Sequence, residues 1–234
     1  MINSAIILAG GKGERLRPLT NDRPKVMVEL AGKPILAWQI DWLKSHGITK
    51  FVITVSYKHE VVEQYFGDGS AFGIEIDYSI EERPLGRGGG IKKAFSSKLL
   101  KGEEDVIVTN GDIISKADLS KMMELHLNQT GLITILLIPY LSRWGVVKVD
   151  DGHVIGFEEK PKLPYWINGG IYIFNRQVEP LLPETGDHER ETFPKVPKER
   201  FLAFKDEGFW RAVDVVKDKS EAQQFLETGT VKPG

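Results

Sequence analysis

Ala5-Ile6-Ile7-Leu8-Ala9-Gly10-Gly11-Lys12-Gly13-Glu14-Arg15-Leu16-Arg17-Pro18-Leu19-Thr20 sets the pattern that the rest of the first half repeats. Its apolar residues 5–9 read as a buried strand, ended by Gly10-Gly11. Working outward, Phe51-Val52-Ile53-Thr54-Val55 and Asp105-Val106-Ile107-Val108-Thr109 are apolar runs of the same kind. Helical segments lie between them: residues 34–47, opened by Pro34 and closed by Gly47, then 59–66 and 88–100. Residues 74–80 alternate Ile74, Ile76 and Tyr78 and read as a further strand. Buried strands alternating with helices predict a parallel sheet covered on both faces. Right-handed crossovers then gather the loops after the strands at one edge, where ligands bind. Those loops are residues 10–25, 81–90 and 110–113.

Beyond residue 133 the pattern changes. Stretches 132–138, 144–149, 154–159 and 169–174 read as successive strands, with turns at 150–152 and 161–164. A last strand, 209–215, leads into a helix over 217–226. The expected fold is α/β: a Rossmann-like, mixed, mainly parallel sheet with helices on both faces and a small α+β lid. One domain is expected over 1–234, with a first half of 1–130 and a second of 131–234.

The 234 residues carry 31 basic and 33 acidic side chains, a net charge of −2. That balance offers no broad basic field, which argues against nucleic acid or an anionic membrane as partner. The absence of Cys removes disulfides, thiolate metal sites and thiol nucleophiles together. The longest apolar stretch, 132–141, contains Thr134, Pro139 and Tyr140 and falls short of the roughly 20 residues that span a bilayer. No signal peptide is visible at the N-terminus. A cytoplasmic, soluble protein is expected. The five His show no ligand spacing.

Three Gly in four positions after a buried strand let backbone N–H groups converge on an anion, or simply make a tight turn. The glycines alone leave both open. A P-loop fails, because Gly13 is followed by Glu14 and Arg15. A dinucleotide fingerprint fails as well: Leu16 stands where the third Gly belongs, and Pro18 obstructs the helix. What remains is a glycine loop with two cations, Arg15 and Lys25, which suits a triphosphate neutralised as it reacts. Asp112 ends an apolar strand at the binding edge. A carboxylate there either caps the following helix or holds a hard divalent cation.

The run from Leu8 to Lys25 resembles the signature of the sugar-1-phosphate nucleotidyltransferases, or nucleotide-sugar pyrophosphorylases. Further matches follow in order: Glu81 with Pro84-Leu85-Gly86, Asn110-Gly111-Asp112, Trp144-Gly145-Val146-Val147, Glu158-Glu159-Lys160-Pro161, Asn168-Gly169-Gly170, and Trp210 to Asp214. Within the family the chain is most similar to mannose-1-phosphate and heptose-1-phosphate guanylyltransferases. The resemblance implies attack by a sugar-1-phosphate oxygen on the α-phosphorus of a nucleoside triphosphate, expelling pyrophosphate. Arg15 and Lys25 would be catalytic, Arg15 on the β- and γ-phosphates and Lys25 between the α-phosphate and the sugar phosphate. Leu8, Ala9, Gly10, Gly11, Gly13, Arg15, Glu81, Pro84, Gly86 and Asp112 would bind the nucleotide. Gly145, Glu159, Lys160 and Asn168 would bind the sugar phosphate.

Mg²⁺ is the cofactor the family implies, with Asp112 and Asp214 as its ligands. The usual second ligand lies two residues after a Trp, where this chain has Ala212; Asp214 fits a variant spacing. Glu81 faces the base in the family, and an acceptor-only carboxylate suits the adjacent N1–H and N2–H₂ donors of guanine. GTP with mannose-1-phosphate or a manno-heptose-1-phosphate is the favoured pair. The rival readings are a glucose-1-phosphate thymidylyl-, uridylyl- or cytidylyltransferase, and a non-catalytic regulatory subunit that binds nucleotide sugars. Arg87 stands where the family usually has Thr and could touch phosphate, ribose or water. The β-helix that many relatives append is not expected, and a homodimer is the prior for a soluble enzyme.

Overall fold

The opening apolar run forms β1 (Ser4–Leu8) in a computed structural model that describes residues 2–230. A short hairpin, β2 (Glu29–Leu30) with β3 (Lys33–Pro34), follows the long loop and leads into α1 (Ile35–Ser45). Next come β4 (Lys50–Val55), α2 (His59–Phe66), β5 (Glu75–Ile80) and α3 (Gly86–Phe95). They are followed by β6 (Asp105–Asn110), β7 (Ile113–Ser115) and α4 (Leu119–Asn128). The second half holds β8 (Ile133–Leu141), β9 (Val146–Asp150), β10 (His153–Glu158) and β11 (Lys162–Asn175). It ends with α5 (His188–Glu191), β12 (Phe201–Lys205), β13 (Trp210–Ala212) and α6 (Val216–Thr228).

Seven strands form one sheet in the order β12-β8-β11-β6-β1-β4-β5. β1 pairs in parallel with β4 and β6, β4 with β5, and β12 with β8. β11 runs antiparallel to both its neighbours, so the sheet is mixed and mainly parallel, as expected. Alternate residues serve its two faces. Ile6, Val52 and Val108 pack with Ile91 and Phe95 of α3. Ile7, Ile53 and Ile107 pack with Ile40 and Leu43 of α1, Phe66 of α2 and Met122 of α4. Each of these side chains is buried, and truncating one costs about 2–5 kcal/mol for a Leu, Ile or Met. A third cluster joins Leu16 and Val28 to Ile114, Val213 and Ala222. That cluster fastens the first loop to α6.

The structure departs from the sequence reading in several elements. The turn expected at 161–164 is absorbed into β11, which starts at Lys162. Its pairing with β8 shifts register between Lys162 and Trp166, and Pro164, which has no N–H to give a ladder, sits in that irregularity. The helix expected over 88–100 stops at Phe95; Ser97 then accepts from the Leu99 N–H and starts a separate short turn. Helix α4, the edge strand β12 and the short α5 were not read from the sequence. The β9–β10 hairpin forms its own two-stranded sheet, with Val147, Val149, Val154 and Phe157 exposed. Among the described residues no helix is long and apolar enough to cross a membrane.

Candidate active site

The loops after β1, β5 and β6 meet at one edge of the sheet around a cavity of about 710 Å³. Leu8, Gly10, Gly11, Gly13, Arg15 and Lys25 line it from the first loop; Glu81, Pro84 and Gly86 line it from the second. Asp112 and Asp214 complete it. Ala9 does not line the cavity. It is 2% exposed, and its N–H donates to Thr54 O at 2.9 Å, so it prolongs the strand pairing and packs in the core.

Local geometry places the two cations. Gly13 takes a left-handed φ of +67°, and a Cβ there would lie 2.8 Å from Lys25 Cβ. Only glycine lets the first loop and Lys25 pack so closely. Lys25 then reaches Asp112 Oδ2 in a short ion pair and Asp214 Oδ1 at 2.6 Å, while Arg15 Nη2 lies 2.9 Å from Asp214 Oδ1. The two carboxylates meet because β7 and β13 pair Ile113 with Ala212, and Val213 N–H donates to Asp112 O at 2.9 Å. Burial works against the charged Lys25, but Asp112 and Asp214 outweigh it and hold its pKa above the usual value. Burial would likewise raise Asp214; Lys25 and Arg15 outweigh it and hold that carboxyl below its ordinary value.

Asp112 does not cap the following helix: α4 is capped by Asp118 through the Lys121 N–H at 3.1 Å. Asp112 faces the cavity instead. Two carboxylates sharing one cation are a donor set that a hard divalent ion accepts, with water and phosphate oxygens completing its shell. Among the described residues there is no cluster of three or more His, Asp or Glu able to hold a metal. Mg²⁺ held by Asp112 and Asp214 would take its remaining ligands from water and phosphate oxygens.

Glu81 follows β5, three strand spacings from the end of β6, or about 14 Å along the sheet edge. Burial pushes its pKa up, against the Leu85 N–H, which donates to Oε2 at 3.2 Å, and the nearby Lys93. A Cβ on Gly90 would come within 2.7 Å of Glu81 Oε1, so the glycine of α3 makes room for the carboxylate.

Gly145, Glu159, Lys160 and Asn168 lie outside this cavity. Gly145 and Glu159 flank the base of the β9–β10 hairpin, where the missing side chain of Gly145 admits Phe157 and the Glu159 carboxylate. Lys160 follows that hairpin. Asn168 lies within β11 and donates from Nδ2 to Tyr172 Oη at 2.8 Å and Glu189 Oε1 at 3.0 Å. Arg87 also lines the cavity, and its guanidinium is held by Asp187 and Glu189. Neither acid was singled out in the sequence. Asp187, which caps α5 through the Glu189 N–H at 2.8 Å, was the available signal.

The profile of the family described as nucleotidyl transferase matches residues 4–229. D-glycero-α-D-manno-heptose 1-phosphate guanylyltransferase of Aneurinibacillus thermoaerophilus is 37% identical over 229 residues, covering 95% of this chain and 98% of that one. Mannose-1-phosphate guanylyltransferase of Mycobacterium tuberculosis is 37% identical over 224 residues, covering 92% of this chain but 62% of its own length. Among solved structures, HddC from Yersinia pseudotuberculosis superposes with a TM-score of 0.77 at 28% identity, over 96% of this chain and 100% of that one. It is also known in complex with GMP-PN. With its glycine loop, paired cations and paired carboxylates at one sheet edge, the chain belongs to the nucleotidyl transferase family.

Proposed function

We propose that the protein transfers a guanylyl group from GTP to mannose-1-phosphate or a manno-configured heptose-1-phosphate, releasing pyrophosphate. The observation that carries this reading is the convergence of Lys25 and Arg15 on Asp112 and Asp214 beside the glycine loop. Phosphoryl-type transfer asks a protein for alignment and charge neutralisation more than for a nucleophile. A sugar-1-phosphate oxygen attacks the α-phosphorus, the bond to the bridging β-oxygen breaks, and pyrophosphate leaves. Arg15 takes the leaving phosphates, and Lys25 moves from the carboxylates to the α- and sugar phosphates, where negative charge accumulates. Mg²⁺ on Asp112 and Asp214 would supply further neutralisation of the phosphate oxygens.

Glu81 supports GTP, since an acceptor-only group matches the two neighbouring donors of guanine. Both guanylyltransferase relatives, and the GMP-PN complex of the similar HddC, support the same base. The sugar phosphate falls to Gly145, Glu159, Lys160 and Asn168 in the second half. We infer a cytoplasmic reaction, where a nucleoside triphosphate substrate is supplied. Incubation with GTP, Mg²⁺ and mannose-1-phosphate carrying ¹⁸O in its phosphate should give labelled GDP-mannose and unlabelled pyrophosphate. Label in the pyrophosphate, or no sugar-dependent release of pyrophosphate, would overturn the mechanism.

A further inference from the structure

Arg87 is the second residue of α3 and lines the cavity, yet its charge is spent elsewhere. Nε and Nη2 donate to Asp187 Oδ2 at 3.0 and 2.5 Å. Nη1 and Nη2 donate to the two oxygens of Glu189 at 2.9 and 3.0 Å. Four of the five guanidinium N–H groups are thereby used. One cation against two carboxylates leaves the cluster net negative, which makes it a poor place for a phosphate.

Glu189 passes this restraint on. Its Oε1 also accepts from Asn168 Nδ2 at 3.0 Å and from Tyr172 Oη at 2.9 Å. The second Asn168 N–H goes to Tyr172 Oη at 2.8 Å, and Asn168 Oδ1 accepts from Gly170 N–H at 2.9 Å. Both amide protons are therefore committed inside the protein, and one lone pair of Oδ1 is left. Asn168 offers an acceptor and no donor.

Arg87 is not what docks α3 on the loop before α5. Gly88 N–H donates to Gly186 O at 2.9 Å, and Gly186 N–H to Leu85 O at 2.8 Å, so backbone bonds already fasten the two segments. The ion pair is then free to serve the orientation of Glu189.

We propose that Arg87 is a positioning residue for the sugar: by holding Glu189 it fixes the Asn168 amide as a hydrogen-bond acceptor for one sugar hydroxyl. The proposal rests on the reading of Asn168 as sugar-facing. It assigns this chain's Arg at a usual Thr position to recognition of the sugar rather than the nucleotide.

The test is a set of three variants. Arg87→Met keeps length and removes every N–H; it should raise KM for the sugar-1-phosphate about tenfold, the worth of one well-placed hydrogen bond, with kcat and KM for GTP little changed. Glu189→Gln should do the same. Asp187→Asn, which weakens the hold on Arg87 but keeps an oxygen to cap α5, should raise the same KM by less than Arg87→Met. Binding gives a second readout that needs no turnover: in titration calorimetry Arg87→Met should weaken GDP-mannose about tenfold while GDP is unchanged. A rise in KM for GTP, or equal weakening of GDP and GDP-mannose, would assign Arg87 to the nucleotide and overturn the proposal. A fall in Tm with no movement of the sugar KM would make it a structural fastener and overturn it too. Absence of sugar-dependent turnover in the wild type overturns the proposed function alone, and the calorimetric ratio still decides the role of Arg87. A wild-type protein that binds GDP-mannose no more tightly than GDP removes Asn168 as a sugar contact and the proposal with it.

Discussion

His188 carries a pH dependence whose size follows from its surroundings. The side chain is fully buried, and among the described residues neither ring nitrogen has a hydrogen-bond partner. Its ring packs edge-on against Tyr172, Phe174 and Phe193, with centroids 5.2, 5.9 and 5.2 Å away. Asp187 Oδ1 is 4.0 Å from Nδ1, too far for a hydrogen bond. Burial, aided by Arg87 and opposed by Glu189 and Asp187, pushes its pKa from 6.5 down to about 4. The folded protein thus refuses a proton that the unfolded chain accepts. Stability from this group is complete above pH 6.5 and is lost as the pH falls toward 4. The full gap is worth about 3 kcal/mol, of which about 2 kcal/mol is gone by pH 5. Replacing His188 with Leu removes the titration and two unpaired polar atoms. Urea unfolding at pH 7.5, 6.0 and 5.0 should show His188→Leu gaining about 2 kcal/mol on the wild type between the first and last pH. At pH 7.5 the variant should already be at least as stable. Parallel pH curves for the two proteins would refute the reasoning.

Lys25→Ala should cut kcat by about 10²–10³-fold, the usual cost of one preorganised charge at a reacting centre, while circular dichroism shows the fold intact. Glu81→Gln should lower kcat/KM for GTP by about 10–100-fold, through loss of a charge-assisted hydrogen bond of about 1.5–3 kcal/mol, and improve UTP relative to GTP in pyrophosphate release. Gly90→Ala puts a methyl 2.7 Å from Glu81 Oε1 and should raise KM for GTP with the KM for the sugar-1-phosphate unmoved. Asp112→Asn or Asp214→Asn should raise the Mg²⁺ concentration needed for half-maximal rate, read by titrating Mg²⁺ at saturating substrates.

Much of the parallel sheet could be read directly, because β1, β4 and β6 are continuous apolar runs and α2 has sharp ends. The second half was harder. β12 is a short edge strand, and β11 runs past a Pro that local rules treat as a turn. The site divides in the same way. The glycine loop, Arg15, Lys25, Asp112 and Asp214 each stand in a legible motif, and the pairings between distant residues do not. Lys25 meets Asp214 across 189 positions, and Arg87 meets Asp187 across 100. No local periodicity encodes such pairs; the β7–β13 ladder and the glycine contacts of α3 create them. Ala9, read as the end of the first buried strand, lies in the core with its N–H bonded to Thr54 O.

Pyrophosphate release measured for GTP, UTP, CTP and dTTP, each paired with mannose-1-phosphate, a manno-heptose-1-phosphate and glucose-1-phosphate in the presence of Mg²⁺, tests the central claim most directly. The account predicts the highest kcat/KM for GTP with one of the two manno-configured sugars. A preference for a pyrimidine triphosphate with glucose-1-phosphate would contradict it, and so would no release from any pair.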